Sequence, residues 1–346
     1  GGNIDQNLIL QDEAVAFFSS HALGFFSVFN PDIIQSVKFY KGSIPAQYGG
    51  RISSVLDVKL KGSDFKNTKV DGSIGTVVSK LSLQTPIVKD KLTLVAGGRV
   101  AYSDWLLNFV KNPGVQQSSV NFNDLNAKLS YRIGKKGLLS LGYFSTYDRV
   151  QFEDQFGFEW SSKNASLLWD QNFSERVGSE MSVTVGKNKS ENYDPSGALQ
   201  YQLSNSQDYY RFRENIAIDL RRHAINTGVE WVYYQPGDQK LISGTTGSDQ
   251  DVVTNNSGHD GAFYINDEFE ITEKLSINAG VRFSYFGQVD ADSIQDADVF
   301  DISRSYFNVE PRVAFRYSLG DESSIKASFA RLNQYIHLVS STTAAL

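Results

Sequence analysis

The chain has 346 residues, 40% of them hydrophobic and 13% aromatic, enough to bury a large core, and its net charge of −6 argues against a nucleic-acid surface, which needs clustered Lys and Arg. It contains no Cys and one Met, which removes disulfide frameworks, thiolate metal sites and cysteine nucleophiles. The mean hydropathy of −0.31 is too low for a bundle of membrane helices, and no run approaches the roughly 18 apolar residues a spanning helix needs; a β-barrel escapes this test because only every second residue faces lipid.

No basic region and apolar stretch follow Gly1, so the sequence reads as starting inside a mature protein. Ile33 to Tyr40 and Ser54 to Leu60 alternate apolar and polar side chains, as half-buried strands do, with Gly42, Pro45 and Gly49-Gly50 punctuating a loop between them. From about Lys69 the pattern becomes a repeated hairpin. Leu92, Leu94, Ala96, Gly98, Val100 and Tyr102 form one strand face; Leu125, Ala127, Leu129, Tyr131 and Ile133 form another against Asn126, Lys128, Ser130 and Arg132. The same period returns in Leu275 to Tyr285 and Phe307 to Tyr317. About twelve such segments can be counted, each near the roughly 9–11 residues of a tilted spanning strand. Short turns (134–137, 272–274, 320–322) alternate with long polar connections (104–120, 188–208, 236–258, 288–305), as an up-and-down barrel in an asymmetric membrane requires. The short turns are assigned to the periplasm and the long loops to the outside. Tyr102, Trp105, Tyr143, Tyr147, Trp160, Trp231, Tyr233 and Tyr234 near strand ends fit interfacial girdles. A soluble propeller or sandwich also alternates along its strands, but its connections do not sort into two length classes.

Residues 29–61, with the turn Tyr48-Gly49-Gly50-Arg51, resemble the end of the plug domain of TonB-dependent outer-membrane receptors. Residues 1–10 and 20–27 are similar to the plug of receptors typical of Bacteroidetes, and residues 265–275, 278–283, 310–313 and 328–338 resemble mid-barrel segments. The resemblance implies a transmembrane antiparallel β-barrel, of about 22 strands in the family, with an internal α+β plug. Residues 1–66 would then be the C-terminal part of the plug and residues 67–346 the first dozen or so strands. An unclosed sheet in lipid would expose about ten backbone groups per edge at several kcal/mol each. The chain is therefore expected to be a fragment of a longer polypeptide, with Thr342 to Leu346 in an outer loop.

The same resemblance implies active import across the outer membrane of a Gram-negative bacterium, without catalysis or a cofactor. Its implied partners are TonB with its inner-membrane energising complex, outer-membrane lipid, and a scarce small ligand such as a ferric siderophore. The form of residues 42–51 departs from the glycan-importing branch. That lowers the expectation of a surface lipoprotein partner and favours siderophore import over oligosaccharide or peptide import. A competing reading is a receptor-like barrel serving as a structural or export component; a TonB-contacting segment discriminates the two.

None of His21, His223, His259 and His337 has metal-ligand spacing, and no nucleophile turn accompanies the neighbours His259-Asp260, which read as a solvated loop pair. A plug that seals a polar lumen yet can be withdrawn calls for hydrogen bonds and ion pairs rather than a greasy interface. Strand parity points Glu230, Glu268, Arg282, Glu310, Arg312 and Arg316 inward. Plug Arg51 is expected to pair with Glu268 or Glu310, with Arg312 a further plug contact, unless Arg51 is solvated or bonded within the plug. His21 is assigned to plug packing, with ligand contact as its alternative role.

Overall fold

The computed structural model describes residues 2–337 apart from 63, 154, 197–201, 238, 243–248, 254–255, 291–299 and 321, and only the backbone of 239–242 and 249–253. The middles of three long connections and the run Thr342 to Leu346 thus lie outside the described residues.

The plug strands are β1 (Asn7–Gln11), β2 (Ala14–Val15), β3 (Ser20–His21), β4 (Phe26–Ser27), β5 (Ile34–Lys41) and β6 (Ser54–Leu60). They form a four-stranded sheet of order β2-β1-β6-β5 and a separate β3-β4 ribbon. β1 runs parallel to β6, while β2 and β5 add antiparallel. A two-residue turn joins β1 to β2 with both residues left-handed, Asp12 at φ 46° and Glu13 at φ 68°, the geometry that keeps a tight hairpin's twist. β6 is not half-buried as its alternation suggests. As a central strand it is covered on both faces, with Val55, Asp57 and Val58 all buried.

The wall follows as β7 (Lys69–Ile74), β8 (Val78–Val88), β9 (Leu92–Tyr102), β10 (Ser119–Ile133), β11 (Gly137–Phe152), β12 (Phe156–Asn172), β13 (Val177–Tyr193), β14 (Gln202–Leu220), β15 (His223–Pro236), β16 (Gln239–Ile242), β17 (Asp249–Val253), β18 (Ser257–Glu270), β19 (Leu275–Val289), β20 (Ile302–Ser318) and β21 (Ser324–Ala330). Thirteen of these form one antiparallel path from β7 to β21, each strand beside its predecessor; β16 and β17 are a side hairpin on β14. Among the described residues the sheet does not close, and β7 and β21 are its edges.

Strands β10 to β15 run 14 to 19 residues, beyond the length the apolar pattern suggests. β13 and β14 stay in register from Val177↔Ile218 to Tyr193↔Gln202, so much of the connection expected over 188–208 is strand. The backbone ladder needs no apolar side chains, so it continues where the hydrophobic alternation has stopped.

The wall is apolar outside and polar inside. Leu141, Leu167, Val183 and Phe263 are exposed on its outer face, while their neighbours Ser140, Ser166, Ser182 and Tyr264 are buried against the lumen. That is the pattern of a sheet solvated by lipid. Tyr143 and Trp231 lie outward as girdle residues do, but Trp160 and Tyr234 point inward and pack on the plug, joining its hydrophobic clusters. Likewise His259 and Asp260 are not a loop pair: both are buried and lie in β18.

Replacing Leu167 on the outer face by Arg is expected to lower folding stability in lipid vesicles by about 2–4 kcal/mol, whereas Ser166→Ala is expected to leave it nearly unchanged. Denaturant titration of vesicle-inserted protein measures both, and equal midpoints would place Leu167 away from lipid.

The plug–wall interface as candidate functional site

The β1–β2 turn places Glu13 at the centre of a charge cluster. Its Oε1 accepts from Lys59 of β6 at 2.6 Å, and its Oε2 accepts from Arg213 Nη1 at 2.7 Å and Arg211 Nη1 at 3.2 Å, both on β14. Arg211 Nη1 also donates to the Glu13 carbonyl at 2.6 Å, and its Nε to Glu230 at 2.7 Å; Glu230 in turn holds Arg282 of β19 at 2.7 Å. Next to it, Asp12 pairs with Lys128 of β10 at 3.0 Å. Burial alone would raise the Glu13 pKa, but Arg213, Lys59 and Arg211 outweigh it and hold the carboxyl well below its ordinary 4.5. Glu13, Arg211, Arg213, Glu230 and Arg282 are nearly removed from solvent, where paired charges interact strongly and unpaired ones are costly, while Lys59 is partly exposed.

A second contact centres on His21, at the end of β3. The ring is fully buried, stacked on Phe122 with centroids 4.1 Å apart, and flanked by Trp160 at 5.6 Å. Its Nδ1 bonds the Asp148 carboxylate of β11, and its Nε2 lies 3.3 Å from Asp124 of β10. Ala22 and Leu23 both adopt left-handed backbone, and Ala22 N–H donates to Asp148 Oδ1 at 2.9 Å. Arg99 of β9 completes the group, bonding Asp124 at 2.8 Å and the Ser27 and Val28 carbonyls at 2.9 Å each. Burial pulls the imidazole pKa down, but Asp124 and Asp148 more than offset this and raise it above its ordinary value. The His21 side chain has no solvent-exposed surface and bonds the wall through Asp148 and Asp124.

The third contact is the loop between β5 and β6. Arg312 of β20 donates through Nη1 to the carbonyls of Pro45 and Tyr48 at 2.7 Å and of Ile44 at 3.3 Å, while its Nη2 bonds Glu310 at 2.8 Å. Ala46 N–H donates to Asn266 Oδ1 at 3.2 Å. Within the Tyr48-Gly49-Gly50-Arg51 turn, Tyr48 is buried and donates to Asp57 at 2.9 Å. Gly49 is required by proximity: a Cβ there would stand 2.2 Å from Arg282 Nε. Gly50 has φ +72°.

The expected Arg51 ion pair does not form among the described residues. Arg51 instead donates to the Gly50 carbonyl at 2.8 Å. The Glu310 oxygens accept instead from Ser284 and Arg312, at 2.8 Å each. Glu268 is out of reach because Gly50 sits against Asp260, eight residues or about 26 Å further along β18. Of the inward-facing pair, Arg312 reaches the plug carbonyls, while Glu310 bonds Ser284 and Arg312 on the wall itself. Glu13, Asp12, Arg99, Asp124, Asp148, Arg211 and Arg213 make further contacts of the interface that the sequence reading did not name. Their one sequence signal is parity, which alternates Arg211 and Arg213 inward past outward Phe212.

Residues 102–334 match the family model described as TonB dependent receptor-like, β-barrel. No functionally curated protein sequence matches the chain. Among solved structures, the chain is similar to the siderophore receptor PirA from Pseudomonas aeruginosa at 14% identity and TM-score 0.64, with 96% of this chain and 55% of that one covered. The copper transporter OprC gives 12% identity, TM-score 0.70 and coverage of 96% and 56%. For the FrpB iron transporter from Neisseria meningitidis the values are 14%, 0.69, 97% and 58%. The chain thus spans little more than half the length of these proteins, and identities this low carry the fold alone.

Glu13→Gln keeps the shape but leaves two buried guanidinium groups short of charge, and is expected to loosen the plug by roughly 3–5 kcal/mol, read as faster hydrogen exchange in β1 and β6. Unchanged exchange would remove Glu13 from the clasp. In the unsubstituted protein, Glu13's stabilising contribution is present above its ordinary pKa of 4.5 and is lost only as pH falls through its much lower folded value. His21 acts in the opposite sense, its contribution present below 6.5 and lost as pH rises through the raised folded value. Protection in β3 and β4, taken relative to the intrinsic base-catalysed exchange rate, should therefore fall on the alkaline side, and His21→Asn should abolish that fall.

Proposed function

The chain belongs to the TonB-dependent receptor β-barrel family, and on that premise we propose that it imports a scarce small ligand across the outer membrane, with the plug withdrawn by TonB. The observation that carries this reading is the chemistry of the plug–wall interface. Glu13, His21 and the loop over Ile44 to Tyr48 are held by hydrogen bonds and ion pairs to Arg211, Arg213, Asp148 and Arg312. Polar contacts of this kind exchange for water when the plug is displaced, whereas a continuous apolar interface would have to expose its surface.

On this reading the ligand arrives from the side of the long connections, TonB engages the plug from the periplasm, and the gradient-driven pull opens a path without bond-breaking chemistry in the receptor. A ferric siderophore is the favoured cargo, since two of the structures similar in fold are described as a siderophore receptor and an iron transporter. The open edges at β7 and β21 must be paired in lipid, and closure by further strands of the same polypeptide is included in the proposal.

Uptake of radiolabelled ferric siderophores into cells carrying the whole polypeptide tests it: uptake is expected with TonB present and lost without it, and TonB-independent uptake would count against import by this route. Arg312→Ala frees three loop carbonyls, so cells carrying it are expected to become more sensitive to a large antibiotic such as vancomycin. Unaltered sensitivity would mean that Arg312 does not help seal the lumen.

A further inference from the structure

The outer face of β11 to β14 carries an ordered set of side chains that neither the plug nor its release uses. In the register of these strands, Leu141, Leu167, Val183 and Phe212 lie in one row, and Tyr143, Ala165, Val185 and Tyr210 in the next toward the long connections. The following row is Ser145, Lys163, Lys187 and Asp208, and the one after it Tyr147, Ser161, Lys189 and Ser206. Arg149, Glu159 and Glu191 come next. Side chains change from aliphatic to aromatic to basic within two register steps.

Lys163 and Lys187 are direct cross-strand partners on the exposed face, an arrangement of like charges that opposes strand pairing. Lys187 is 3.2 Å from Asp208, Lys189 is 3.3 Å from Glu191, and Arg149 is 3.4 Å from Glu159. Lys163 has no carboxylate within ion-pair distance among the described residues. The patch thus keeps an uncompensated ammonium beside a second one, one step above residues that face acyl chains.

We infer that Lys163 and Lys187, with Lys189 and Arg149 beside them, bind the phosphate groups of an outer-leaflet glycolipid whose acyl chains lie on the Leu141–Leu167–Val183 face. A phosphate bridging the two ammonium groups converts their repulsion into two charge-assisted contacts. Continuity with the apolar and tyrosine rows fixes the ligand as a lipid rather than a free anion, because a soluble phosphate has no use for that surface. The inference rests on the outer-membrane placement proposed above, and separate readouts distinguish the two.

The test uses the full chain purified from outer membranes, with lipid A, intact or stripped of its phosphates, as probe and native mass spectrometry as readout. Phosphorylated lipid A is expected to remain bound, the dephosphorylated form to bind about tenfold less, and Lys163→Glu combined with Lys187→Glu to lose the difference. Lys163→Arg with Lys187→Arg should retain it. Heat-modifiable migration in gels checks that each variant is folded. Equal retention of both lipids, or retention by the folded double Glu variant, overturns the site and marks these strands as a solvated extension. Recovery of the chain outside the outer-membrane fraction would instead overturn the placement.

Discussion

Everything in this molecule depends on where the polar side chains of the wall are allowed to point. A sheet in lipid can satisfy its backbone only through its own ladders, and its outward side chains must be apolar. Ser, Asn, Asp and Arg are thereby sent to the lumen, as at Asn126, Ser166, Asp124 and Arg213. A domain filling that lumen meets a surface of donors and acceptors, so complementary charge must hold it. Glu13 shows the result: one plug carboxylate linked through Arg211 and Glu230 to Arg282, across β14, β15 and β19. Such a chain is stable only while every member is present, since each buried charge is compensated by its neighbours.

The same constraint explains the plug's backbone. A loop inside a barrel cannot leave its carbonyls to bulk water, and a buried acceptor without a donor is costly. The carbonyls of Ile44, Pro45 and Tyr48 converge on one guanidinium, Arg312, whose planar array of donors suits several acceptors at once. Gly49 allows the approach of Arg282 there, and no side chain could replace its hydrogen without moving that arginine.

Much of this organisation is legible in the sequence. Leu92 to Tyr102 and Ser54 to Leu60 are read to the residue, because alternation and turn residues coincide at their ends. Parity places Glu230, Arg282, Glu310 and Arg312 on the lumen side. It cannot say what each one meets, because that depends on the height at which the plug sits, a property of long-range packing. Arg51 illustrates the limit: its expected partners face inward, yet one is bonded to Ser284 and Arg312 and the other is far down β18. Trp160 is a related case. An aromatic near a strand end suits a girdle or a plug contact equally well, and only its stacking on Phe18, at 4.5 Å, decides.

The parallel pairing of β1 with β6 has a mechanical meaning. Five register pairs, Asn7↔Ser54 to Gln11↔Val58, join the strands, and β6 leads onward from its far end into β7 and the wall. Tension applied at the N-terminal end of β1 and resisted at the C-terminal end of β6 pulls the two strands past one another. The pairs then share the load in shear and do not open in succession, as the teeth of a zipper do. The five pairs of the plug's own sheet would therefore be loaded together.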